Sequence, residues 1–161
     1  MAKISAIFVL IIFGYMALIE AKNIRNGGER IKKFFTINGS EYYIDTDGWM
    51  TYADAKRDCE SRGSRLITFS SQQKYDEILN WLKDNQLSWQ WFWTGGYRNF
   101  NSDQWVWGHN NERIGNLIWA ANRPEAQVLS ESRCITFSPD FNGWDDDGCS
   151  IFLPHICEKC Q

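Results

Sequence analysis

Five cysteines constrain this chain more than any other feature: Cys59, Cys134, Cys149, Cys157 and Cys160. Four or more cysteines in one small domain indicate a disulfide framework if the chain takes an oxidising route. The N-terminus points to that route. Lys3 supplies a positive start, Ile4 to Ile19 carries no charge, and Ala21 puts a small residue before Lys22. Residues 1–21 read as a secretory signal peptide. The apolar run is short of the roughly 20 residues that a membrane span needs. A secreted, extracellular protein is therefore expected. Zinc is the rival use of the cysteines, but Cys157 and Cys160 form only half a pattern, and neither His109 nor His155 has a His partner at ligand spacing. Spacing alone does not choose among disulfide pairings.

Cys134 and Cys149 bracket a tryptophan and an acidic run, Trp144-Asp145-Asp146-Asp147-Gly148. Read as a loop, it offers oxygen ligands of the kind a hard cation such as calcium takes. It is not an EF-hand loop: counted from Asp140, the third ligand position falls on Trp144. Trp144 itself reads as core, because buried tryptophans mostly pack. The net charge of −3 gives no electrostatic footprint for nucleic acid. No nucleophile motif, phosphate loop or carboxylate spacing selects a catalytic group, so no enzyme is expected.

At 161 residues the chain is one domain long. Residues 22–33 are polar and basic and read as a flexible lead-in to a domain over 34–161. Phe34 to Ile37 and Tyr42 to Ile44 flank Asn38-Gly39, a pair suited to a tight hairpin turn. Asn38-Gly39-Ser40 is also a glycosylation sequon at Asn38. Asp45 to Trp49 reads as a turn into a first helix. Thr51 with Asp54 forms a capping box there, and Gly63 ends the helix. Ser70 with Gln73 reads as a second box, before Tyr75, Ile78, Leu79 and Leu82 at helical spacing. Short strands follow at Trp105 to Trp107, Cys134 to Phe137 and Ile151 to Glu158. Hairpin, two helices, then short strands and long loops make an α+β domain stapled by disulfides.

These landmarks, in this order, resemble the C-type lectin-like domain from about Phe34 to Glu158. Trp49 to Ala55 with Cys59 is similar to the family's first helix, and Gly63-Ser64-Arg65-Leu66 to the link after it. Phe92-Trp93-Thr94-Gly95-Gly96 resembles its Trp-Ile-Gly-Leu core motif, from which Thr94 and Gly96 depart. Trp144-Asp145-Asp146 with Cys149 resembles the Trp-Asn-Asp motif, and Ile156-Cys157-Glu158 the usual ending. The resemblance implies two helices, short antiparallel sheets and a long loop region. It also implies the pairs Cys59–Cys157 and Cys134–Cys149. Cys160 is left as a free thiol or as a link between two copies in a homodimer.

Sugar-binding members of that family hold a calcium ion with a Glu-Pro-Asn or Gln-Pro-Asp triplet, a later acid and the residues after the tryptophan. By that resemblance the metal and sugar ligands here are Glu125, Glu131, Asp145 and Asp146. The triplet reads Arg123-Pro124-Glu125. Arginine accepts no hydrogen bond and stays charged, so it removes one ligand and repels the ion. Two readings follow. The first is a secreted, calcium-assisted lectin for galactose- or mannose-type glycans or glycoproteins, microbial surfaces among them. The second is a lectin-like module that binds a protein partner without calcium.

Overall fold

The computed structural model describes residues 31–115, 118–125, 133–141 and 143–160. The signal peptide, most of the lead-in and Glu131 lie outside them. The elements are β1 (Lys32–Ile37), β2 (Ser40–Met50), α1 (Tyr52–Ser61), β3 (Ser64–Leu66), α2 (Gln72–Asp84), β4 (Phe92–Asn99), β5 (Gln104–Trp107), β6 (Arg133–Ser138), a 3₁₀ turn (Pro139–Phe141), β7 (Gly143–Gly148) and β8 (Leu153–Lys159). Strand order is β1-β2-β8-β4-β6-β7, with β3 paired to β8 and β5 to β4. Among the described residues no helix is long and apolar enough to cross a membrane.

The hairpin is as expected. Asn38 and Gly39 take φ of 48° and 81°, the left-handed values a tight turn needs, and Ile37 pairs with Ser40. Its first strand starts earlier than expected, at Lys32, because Ile31 is buried and its N–H donates to the Thr46 hydroxyl at 2.7 Å. Asp45 to Trp49 is not a free turn but part of β2. Its register with β8 shifts between Asp45 and Met50. The shift is local chemistry: Asp45 Oδ1 accepts from the N–H groups of Asp47 and Gly48 at 2.9 and 2.7 Å.

Thr51 caps α1 by accepting from Asp54 N, and Gly63 follows the helix at φ 65°. The second cap is one residue later than expected. Ser71, not Ser70, is the cap of α2 and accepts from Lys74 N at 3.2 Å. Tyr75, Ile78, Leu79 and Leu82 are buried as the period requires. They join Phe69, Phe92, Phe137 and Trp144 in the larger core. Trp144 is 1% exposed, the packed residue that its type suggested.

Cys59 is bonded to Cys157 and Cys134 to Cys149, the pairing implied by the resemblance. Closing loops of 98 and 15 residues confers about 4.7 and 3 kcal/mol in the chain-entropy account. His155 lies beside Cys59 and Cys157, but their sulfurs are joined to each other and offer no thiolate for a metal. Cys160 is free and exposed.

The acidic run is a strand, not a loop. Asp/Gly sequences favour turns in isolation. Here Thr136 pairs with Asp145, Ile135 with Asp146 and Cys134 with Asp147, and the disulfide closes the end of this ladder. Tertiary pairing overrides the local preference.

Candidate functional site

Strand β7 fixes one side of the site and the segment 118–125 the other. Trp119 bridges Trp144 in parallel; Trp144 N donates to Ile118 O at 2.7 Å and Ala120 N to Trp144 O at 2.9 Å. The approach is close enough to demand Gly143, where a Cβ would stand 2.5 Å from Ala120 N. The chain then turns at Asn122, φ 63°, with Arg123 N donating to Ala120 O at 3.1 Å. The Arg123–Pro124 bond is cis. This brings Glu125 onto β7, where its N–H donates to Asp146 Oδ1 at 2.6 Å.

Arg123 faces inward along this seam. Its Nε is 2.8 Å from Asp145 Oδ1 and its Nη1 is 2.5 Å from Glu125 Oε1. A second arginine closes the other end. Arg133 Nη2 is 3.6 Å from Glu125 Oε2, its Nε is 3.7 Å from Asp146 Oδ2, and its Nη1 donates to Asp146 O at 3.1 Å. Asp145 Oδ1 also accepts from Asp146 N at 2.7 Å. Asp147 stands apart, accepting from the Thr136 hydroxyl at 2.8 Å.

Burial governs the electrostatics. It pushes the carboxyl groups of Asp145 and Asp146 above the usual range. At Asp145 the negative Asp147 adds to burial, and together they outweigh what Arg123 gives back. At Asp146 burial outweighs the Glu125 N–H and Arg133. Burial also works against the charge on Arg123, but Asp145 and Glu125 outweigh it and hold that guanidinium firmly protonated. The attraction is mutual; the net directions differ because burial outweighs it at Asp145 and does not at Arg123.

The structure brings Glu125, Asp145 and Asp146, three of the four residues that the resemblance implied as ligands, close to one another. It also brings two guanidinium groups among them. Calcium takes six to eight oxygens from an uncrowded cage. Here the described carboxylates already face Arg123, Arg133 or backbone N–H groups. Asp146 Oδ2 alone is buried without a hydrogen-bond partner, and the cation nearest to it is Arg133. This donor set does not fit a bound calcium ion. Arg133 gave no signal in the sequence: it becomes visible only once β6 is known to lie across from the acidic strand, with Arg133 opposite Gly148.

The family model for the lectin C-type domain matches residues 49–159, more than half of the chain. The chain belongs to this family. Human lymphocyte antigen 75 is 25% identical over 121 residues, which are 75% of this chain and 7% of that protein. The chain spans less than half the length of the curated relatives it matches. TC14, a C-type lectin from the tunicate Polyandrocarpa misakiensis, superposes with a TM-score of 0.62 at 25% identity, over 76% of this chain and 98% of TC14. SPL-2 from Saxidomus purpuratus, described as a Ca2+-independent C-type lectin, has a TM-score of 0.64 at 22% identity, over 78% and 89%. C-type lectin domains are binding modules, not enzymes.

Proposed function

We propose that this chain is a secreted glycan-binding lectin domain whose recognition face is ordered by arginines in place of calcium. One observation carries the reading: Arg123 bridges Asp145 and Glu125 at 2.8 and 2.5 Å. A calcium ion in this position would draw the same carboxylates together and neutralise them. The planar, permanently charged guanidinium groups do both without a metal. At the open side, the Glu125 side chain is 55% exposed and that of Arg123 is 30% exposed. They offer a carboxylate acceptor beside an N–H donor. A sugar's neighbouring hydroxyls each donate and accept, so such a pair can hold two of them.

Lectin-family membership supports the glycan class, and SPL-2 is a lectin of this fold whose description already dispenses with calcium. The calcium role assigned to Glu125, Asp145 and Asp146 from sequence is replaced in this reading by ligand contact at Glu125 and by support of Arg123 from Asp145. Asn38 lies on an exposed turn, its amide 2.7 Å from Glu77 Oε1, and is proposed as a glycan acceptor on the secreted protein.

A glycan array probed with and without chelator tests the reading. Binding should persist in chelator and fall when Arg123 or Glu125 is replaced by alanine. Spots that vanish with chelator, or survive both substitutions, would contradict it. N-terminal sequencing of the secreted protein should begin near Lys22.

A further inference from the structure

Between α1 and β8, apart from the arginine cluster, a buried histidine stands beside the Cys59–Cys157 disulfide. His155 and Cys157 are two residues apart on β8, so their side chains leave the strand on the same face. Asp58 and Cys59 meet that face from α1. One ring nitrogen of His155 and the sulfurs of Cys59 and Cys157 all lie within 4.8 Å of one another. All three residues are 0% exposed.

The imidazole is held as a metal-bound one would be. Its Nε2 is 3.0 Å from Asp58 Oδ2. Burial pushes the Asp58 carboxyl up, but hydrogen bonds from Arg62 and His155 outweigh burial and hold it below its ordinary value. An ionised carboxylate only accepts, so Nε2 carries the proton. Nδ1 then keeps its lone pair, and it is buried with no hydrogen-bond partner among the described residues. Buried polar atoms are almost always paired in folded proteins. A carboxylate that fixes the tautomer and leaves the other nitrogen bare is the usual support behind a metal-ligating histidine. The Asp58 side chain is 18% exposed, which puts the cluster within one residue of solvent.

We propose that reduction of the Cys59–Cys157 disulfide opens a zinc site made of both sulfurs and His155 Nδ1, with Asp58 as the orienting acceptor. A dithiol is the reductant. Its own two sulfurs join, the Cys59–Cys157 bond breaks, and two electrons and two protons pass to the cysteines. Zinc then displaces the two thiol protons. Two thiolates and an imidazole are a zinc donor set that keeps a fourth position for water. The ion takes over from the disulfide the join between α1 and β8. The site does not rest on the glycan reading of the arginine cluster.

The full mature chain, with Cys160→Ser to remove the free thiol, should be reduced, freed of reductant without air, and titrated with Co2+ and then Zn2+. One Co2+ per chain should give thiolate-to-cobalt charge-transfer absorption and the visible bands of a tetrahedral ion, and Zn2+ should displace it. The oxidised protein should show neither. Zn2+ should also raise the melting temperature of the reduced protein alone or, if the reduced chain unfolds without metal, restore its near-ultraviolet circular dichroism. His155→Ala should weaken the metal at least about tenfold, and Asp58→Asn about 10- to 100-fold. No cobalt spectrum in the reduced protein would overturn the proposal. So would binding that is indifferent to both substitutions, or that is lost with Cys134→Ser, because the metal would then sit on other thiols.

Discussion

Arg123 Nε lies 2.8 Å from Asp145 Oδ1, across the seam between the 118–125 segment and β7. That contact joins the residue which departs most from the family's calcium triplet to the strand that carries the Trp-Asp-Asp motif. With Arg133 at the other end, two cations hold three carboxylates, and both guanidinium groups act as struts between segments.

Arg133 should prove the more costly strut to remove. Its side chain is 11% exposed, and that of the Asp146 it faces is fully buried. Arg133→Ala leaves a buried carboxylate without its cation, and should lower unfolding free energy in urea at pH 7 by about 3 kcal/mol. The loss should depend on pH. Burial already holds the Asp146 carboxyl above its usual range, so the folded state takes up that proton first as pH falls. The penalty for the orphaned charge is then full at neutral pH and shrinks as pH drops through the raised value. An equal loss at pH 7 and pH 4 would show that Asp146 is not what Arg133 holds.

Gly143→Ala tests how tightly the 118–125 segment is docked. The new methyl carbon would meet Ala120 N and Cα at 2.5 and 2.7 Å, both backbone atoms with no side-chain freedom to yield. Such overpacking should cost about 1–3 kcal/mol in chemical denaturation. It should also displace Arg123 from Asp145 and weaken glycan binding. Unchanged stability and unchanged binding would mean that the segment is not held as described.

Asp45 has the opposite acid response. Burial pushes its carboxyl up, but N–H donors from Gly48 and Asp47 and the Lys32 ammonium at 3.1 Å outweigh burial and hold it below its ordinary value. Its contribution is therefore present above the unfolded-state value of 3.8 and is lost as pH falls through the lower folded value. Asp45→Asn should cost about 1.5–3 kcal/mol at pH 7, as for hydrogen bonds to a charged group. The melting curves of the two proteins should draw together only below about pH 4, as pH falls through that lowered folded value. A constant gap across that range would contradict the assignment.

Much of the fold was legible because its signals are local. Asn38-Gly39 has its turn angles, Thr51 its capping role, and the Tyr75 to Leu82 period its buried face. The disulfide pairing came only through the family resemblance. The misreadings share a physical cause. Asp45 to Trp49 and Asp145 to Gly148 look like turns because their side chains compete for the backbone locally; pairing with β8 and β6, distant in sequence, decides them. Arg123 was visible as an odd residue in a triplet, but its partners were not. Arg133 was not visible at all, since only the β6–β7 register sets it beside Asp146.

In the proposed recognition face, arginines stand where calcium would. Thermal unfolding of the mature protein, followed with millimolar calcium and with chelator, tests it most directly. The wild-type melting temperature should be the same in both. Arg123→Glu restores an oxygen ligand beside Glu125, Asp145 and Asp146. With a Kd in the submillimolar to millimolar range usual for extracellular modules, that variant should gain about 1–2 kcal/mol from calcium. A wild-type protein stabilised by calcium to that extent would contradict the account.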